Sequence, residues 1–234
     1  EGNWTERDDV SIWYLGRKGK LGPSFGASPS AIGPEYAFGH VLGDAIKEPV
    51  LLIKTAWGGK SLQKDFRPPS SGGELGPYYK EMLEHVKEVL DKLGTHFADL
   101  KGRDYEVVGF GWHQGWNDGC GMPATLEYEK NLANFIRDVR KELGIKNLPF
   151  VIADSGFGGV NQKVDRRLLL RKAQAAPEAY PEFKGNVDCV QTAGFFRSAE
   201  ESPSRQGYHW NGNAETYYLI GEAMGEAMKK LSDQ

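Results

Sequence analysis

Residues 105–122 read YEVVGFGWHQGWNDGCGM, and the fold turns on how this stretch changes character midway. Its first half, from Tyr105, is an apolar, β-branched run that suits a buried strand. Its second half interleaves glycines with Trp112, His113, Gln114, Trp116, Asn117 and Asp118. Two tryptophans, a histidine and three polar side chains add little stability to a glycine-rich turn. The turn is therefore a candidate site, provided other segments bring partners to it.

On its N-terminal side, residues 50–55 (VLLIKT) read as a buried strand ended by Trp57-Gly58-Gly59. On its C-terminal side, 149–154 (PFVIAD) and 187–192 read as two further strands. Helices are predicted between them. Behind Pro34, a favoured first helical residue, Phe38, Val41, Leu42, Ala45 and Ile46 share one face. Tyr79, Met82, Leu83, Val86 and Leu90 do so over 77–93, with Gly94 as the C-terminal cap. Leu132, Phe135, Ile136, Val139 and Leu143 do so over 123–143, stopped by Gly144. Asp165 reads as the N-cap of a helix to about 176, and a last helix spans 213–231. Residues 1–33 are polar apart from a short strand at 10–15.

This alternation predicts a single α/β domain over 1–234, with a central parallel sheet covered by helices on both faces. Ligands of such sheets bind at the carboxyl ends of the strands. The unusual loops, 56–62, 113–121, 155–159 and the approach to His209, all follow strands. That coincidence points to one shared site.

Composition narrows the function. Hydrophobic residues are 39% and charged residues 26% of the chain, and the formal net charge is −3 with no long basic run. Neither a nucleic-acid surface nor an anionic-membrane surface is expected, and no apolar run approaches a membrane span. Cys120 and Cys189 fall in a loop and a strand, and are expected to be unpaired thiols. The first residue is Glu1 rather than methionine, so a processed, trimmed or fragmentary chain is expected.

The chemistry allows two readings at several positions. Gly58 and Gly59 let backbone amides approach a ligand, as donors to an oxyanion, or form only a tight turn. The side-chain amides of Gln114 and Asn117 can stabilise an oxyanion. Asp118 can pair with a histidine, or Asn117-Asp118-Gly119 is simply a turn. His209, before the last helix, can act as a general base or can only pack. His40, His85 and His96 lie on helices and read as structural. Histidines and cysteines lack metal-ligand spacing. Dinucleotide, Walker-type and nucleophile-elbow patterns are absent.

Taken together, these residues resemble the SGNH hydrolases. Residues 54–62 (KTAWGGKSL) look like the second block of that superfamily. Trp112-His113-Gln114-Gly115-Trp116-Asn117-Asp118 resembles the third block, in the branch of sialate O-acetylesterases and acetylxylan esterases. Ile32-Gly33-Pro34-Glu35 fits the same branch, and His209 fits the fifth block. The resemblance covers nearly all of residues 32–231.

It implies a three-layer flavodoxin-like fold and a serine esterase acting on acetylated carbohydrate without metal or nucleotide cofactor. His209 would be the general base. A Gly58 or Gly59 amide, with Gln114 or Asn117, would form the oxyanion hole. Asp118 would be an alternative acid partner, because Gln206 stands where the family usually has the aspartate. Trp116 stands where the branch usually has glutamate. Trp57, His113, Trp116, Tyr208 and Trp210 would face the sugar, with Trp112 as a further flat face. The family's first strand, ending in Gly-Gln-Ser-Asn with the nucleophile, is not found in these residues. Ser61 and Ser155 are the serines at the right edge, and neither sits in a nucleophile motif. The expectations are thus an N-terminally incomplete domain, little hydrolysis by these residues alone, and, by analogy, export. The alternative is an inactive carbohydrate-binding relative.

Overall fold

A computed structural model describes residues 4–232. Among them, strands β1 (Arg7–Tyr14) and β2 (Arg17–Leu21) form an antiparallel hairpin. Leu15 and Gly16 make its two-residue turn, with φ of 46° and 88°, the positive values that a tight hairpin of this twist needs. β1 also pairs in parallel with β3 (Val50–Lys54), giving the order β2-β1-β3. A second sheet has β4 (Phe110–Trp112), β5 (Phe150–Ala153) and β6 (Val187–Val190), all parallel, in that order. The helices are α1 (Glu35–Ala45), α2 (Pro77–Asp91), the short α3 (Leu93–His96), α4 (Met122–Leu143), α5 (Asp165–Ala175) and α6 (Ala214–Ser232).

Strand alternation explains two of the cores. Phe150 and Ile152 of β5 join Tyr128 and Phe135 of α4, Leu170 of α5 and Met82 of α2. Val151 and Ala153 point the other way, to Leu42 of α1 and to Met224 and Met228 of α6. β5 is therefore buried on both faces, which is why FVIA is uniformly apolar. α1 and α6 pack closely because α6 carries glycines where they meet. A Cβ at Gly221 would stand 2.0 Å from the carbonyl oxygen of Pro34.

The structure departs from the sequence reading in three places. The expected central parallel sheet, already read as lacking one strand, is two three-stranded sheets, one of them carrying the antiparallel β1–β2 hairpin, with no ladder between β3 and β4 among the described residues. The expected strand from Tyr105 pairs only at Phe110–Trp112, because β5 offers partners from Phe150 onward and, among the described residues, nothing pairs with the opposite edge. The hairpin strand β2, RKGKL, escaped the hydrophobic pattern because it is an edge strand, where lysines guard against unwanted pairing. Smaller shifts occur at helix ends. Gly94 lies inside α3 and Lys92 caps α2, while Val164, not Asp165, is the N-cap of α5. Gly144 ends α4 in the left-handed region, φ 71°, as its position predicts.

Candidate active site

The loops after β3 and β4 share a cavity with His209 and Gly212 of the turn Gly207–Gly212 that leads into α6, and Phe157 in the loop after β5 packs on Trp210 of that turn. What ties the first two together is Asp118. This residue is fully buried, and its carboxylate accepts the backbone N–H groups of Leu62 and Gln63, both at 2.9 Å, and the Gln114 amide at 2.8 Å. Burial pushes its carboxyl pKa up, against the pull of those three donors. No contact joins Asp118 to His209 among the described residues. The carboxylate is a pin between loops, and the acid-partner reading has no geometric support.

Gln114 is likewise committed. Its amide nitrogen donates to the Lys60 carbonyl at 2.9 Å and to Asp118, and its amide oxygen accepts from Tyr128 at 2.9 Å. Both N–H bonds are used. Asn117 donates its amide to the Gly59 carbonyl, and its second N–H has no partner among the described residues. Gly59 has φ 69°, and Gly58 is exposed with open space where a side chain would stand. Neither glycine N–H has a partner among the described residues. The available donors are therefore the Gly58 and Gly59 amides and Asn117.

His209 is exposed on the turn before α6. Its backbone is fixed at both ends: its N–H donates to Gln206 at 2.8 Å and its carbonyl accepts from Tyr217 at 3.1 Å. Trp210 and Asn211 follow with φ of 50° and 56°. A bulky residue held there stores strain of about 1–3 kcal/mol. Burial of Trp210, 1% exposed and 4.5 Å from the Phe157 ring, holds the turn in place. The His209 ring touches Tyr208, 4.6 Å between centroids, and has no carboxylate beside it among the described residues.

The expected sugar-facing residues divide. Trp210 is packed inside, so it is a prop for the turn rather than a platform. Trp112 is also buried and donates to Tyr128 at 3.2 Å. His113 stacks on Trp210 at 6.0 Å and bonds through Nδ1 to the Ala153 carbonyl at 3.2 Å, and burial lowers its pKa. Trp57 is wedged among Phe66, Tyr78 and His85. Trp116 and Tyr208 remain, 5.6 Å apart, with Tyr208 43% exposed. Arg167 lies over the Trp116 ring at 4.5 Å.

Trp57, Gly58, His113, Gln114 and His209 line one cavity of about 1620 Å³. The serines at this edge are not poised to react. Ser61 donates to Asp65 at 2.9 Å, and the buried Ser155 accepts from Gln174 at 3.0 Å. Gln174 is a residue that sequence reasoning missed. Fully buried, it also donates to the Gln114 carbonyl at 2.7 Å and accepts from the Ser155 N–H at 2.8 Å. A lone glutamine on an otherwise ordinary helix gives no sequence signal of that clamp. Lys54 was missed too. It pairs with Glu35 at 2.7 Å at the C-terminal end of β3, and burial lowers its pKa. The thiols Cys120 and Cys189 are both free.

No curated protein sequence matches the chain. Among solved structures, a protein from Arabidopsis thaliana superposes with a TM-score of 0.68 at 16% identity, over 96% of this chain and 82% of that one. A carbohydrate acetylesterase from Xanthomonas citri superposes with a TM-score of 0.66 at 16% identity, over 97% of this chain and 50% of that one. At such identity the likeness is one of fold. The sequence pattern of one family matches residues 22–230. By that match the chain belongs to the carbohydrate esterases of the sialic acid-specific acetylesterase family.

Proposed function

We propose that this chain carries the general base and the oxyanion donors of a carbohydrate O-acetylesterase that works through a serine acyl-enzyme. The observation that carries the reading is the convergence of His209 and Gly58 on one cavity at the strand ends. A serine hydroxyl from outside residues 4–232 attacks the acetyl carbonyl carbon as the His209 imidazole takes its proton. The carbonyl oxygen, now negative, accepts from a Gly58 or Gly59 amide and from Asn117. The bond to the sugar oxygen breaks, and that oxygen takes the proton from His209. Water then loses a proton to His209 and attacks the acyl carbon; the bond to the serine oxygen breaks, that oxygen takes the proton back from His209, and acetate leaves.

Trp116 and Tyr208 offer the sugar its flat, partly exposed faces. The proposal includes a three-layer flavodoxin-like fold and an exported protein, by analogy with enzymes of extracellular polysaccharide. One observation favours a second reading, a carbohydrate-binding relative without catalysis: among the described residues the His209 ring touches Tyr208 and has no acidic partner. The test is acetate release from acetylated sugars by a chain given the serine-bearing segment, with His209→Ala beside it. Full activity in His209→Ala rejects the catalytic assignment, and sugar binding without acetate release selects the second reading.

A further inference from the structure

Helix α5 opens with Asp165-Arg166-Arg167 and carries Arg171 one turn after Arg167. Two of these three arginines are committed. Arg166 donates from Nε to the Gly119 carbonyl at 2.8 Å, and Arg171 donates from Nε to the buried Asp154 carboxylate at 2.7 Å. Arg167 differs from both. Its guanidinium carbon lies 4.5 Å from the centroid of the Trp116 ring. Among the described residues its side chain has neither a hydrogen-bond partner nor an ion-pair partner.

Helix stability does not account for this placement, because a cation in the first turn opposes the helix dipole. Stacking on the indole engages only one face of the guanidinium. Its N–H groups lie in the guanidinium plane and stay available, and a carboxylate matches that fork with two parallel bonds. Trp116 is itself held, edge-on to Phe157 with ring centroids 5.0 Å apart. The cation therefore rests on a fixed support, and less side-chain freedom is lost when it binds. The location also matters. Trp116 stands 5.6 Å from Tyr208, whose ring is 4.6 Å from that of His209. The run His209, Tyr208, Trp116, Arg167 leads from the proposed base to an uncompensated cation, with no carboxylate on the way.

We infer that Arg167 recognises a carboxylate carried by the sugar, whose ring lies against the exposed face of Tyr208. This role rests on the proposed carbohydrate site and deepens it. Arg167 sets which sugar is held and takes no part in moving the acetyl group. Two sources of the carboxylate fit: the acetylated ring itself, as a hexuronic acid, or a uronic acid unit linked to that ring.

Binding is measured on the 234-residue chain by calorimetric titration with two matched pairs. One pair is O-acetylated glucuronic acid against O-acetylated glucose, and the other is acetylated xylobiose with and without a glucuronic acid branch. In at least one pair the acidic sugar should bind roughly 10-fold tighter at low salt, and added salt should shrink the ratio. The pair that shows the preference locates the carboxylate. Arg167→Ala should bring the ratio to about one. Arg167→Lys keeps the charge but loses the fork, and should retain only roughly 2–3-fold. Trp116→Glu puts a carboxylate beneath the guanidinium and should also erase the preference. No binding of any of the sugars, ratios near one in both pairs, or a preference that survives Arg167→Ala would each overturn the role of Arg167. A chain given the serine-bearing segment that cleaves both members of each pair with equal kcat/KM would do so too, while leaving the proposed function in place. An Arg167-dependent preference in a serine-bearing chain that releases no acetate leaves the role of Arg167 standing and rejects the proposed function.

Discussion

The carboxylate of Asp118 accepts the backbone N–H of Leu62 at 2.9 Å across 56 residues of sequence. With Gln63 and Gln114 on the same carboxylate, this contact holds the glycine loop after β3 against the turn after β4. Asp118→Asn offers one acceptor in place of two and turns an N–H₂ toward backbone donors. A loss of about 2–4 kcal/mol is expected, since hydrogen bonds to charged groups contribute more than neutral ones and buried donors are left unpaired. Urea unfolding measures it. A loss below about 0.5 kcal/mol would contradict the pin.

Gln114 and Asn117 separate by the same logic. Gln114→Ala removes an amide bonded to Lys60, Asp118 and Tyr128, and is expected to lower Tm. Asn117→Ala breaks one bond at a partly exposed position and is expected to leave Tm nearly unchanged. In a serine-bearing chain, Asn117→Ala should lower kcat by roughly 10²–10³-fold with KM little changed, as expected of an oxyanion donor. Equal kcat in wild type and Asn117→Ala would remove Asn117 from the oxyanion site.

The two aromatics flanking His209 should behave in opposite ways. Trp210→Ala empties a buried site under a strained turn and is expected to cost about 3–5 kcal/mol. Tyr208→Ala removes an exposed ring and should leave stability within about 0.5 kcal/mol while weakening sugar binding. Thermal unfolding and titration with acetylated sugar read the two effects. Unimpaired binding by Tyr208→Ala would remove that ring from the sugar surface.

Acid should destabilise the fold partly through His113. Burial holds its folded pKa below the ordinary 6.5, so its contribution is present in full above that value. It is lost as pH falls from there toward the folded pKa, because the unfolded chain binds the proton first. His113→Asn can still donate to the Ala153 carbonyl and does not titrate. A Tm profile between about pH 7 and pH 5 should therefore be flatter in His113→Asn than in wild type. Parallel profiles would assign the acid sensitivity elsewhere.

Much of this was legible in the sequence. The helical faces, Gly144 as a stop and the strands at β3, β5 and β6 follow from periodicity and from glycine's freedom at positive φ. The loops that meet at the site follow from where those strands end. What could not be read is partnership. VVGFGW has the composition of a strand along its length, but an edge without a neighbour pairs only where β5 begins. Trp210 and Trp116 look alike as letters, yet the turn at Trp210–Asn211 drives one ring inward and leaves the other partly in water. Asp118 reads as a turn residue, and only the loop from β3 reveals that it receives two backbone amides.

The most direct measurement is acetate release from an acetylated sugar by three proteins assayed together. They are the 234-residue chain, the same chain with an apolar strand ending in Gly-Gln-Ser fused ahead of Glu1, and that fusion carrying His209→Ala. The expected result is negligible release by the first, clear turnover by the second, and a loss of at least about 10³-fold in the third at unchanged Tm. Rapid release by the unfused chain, or equal rates with and without His209, would contradict the account.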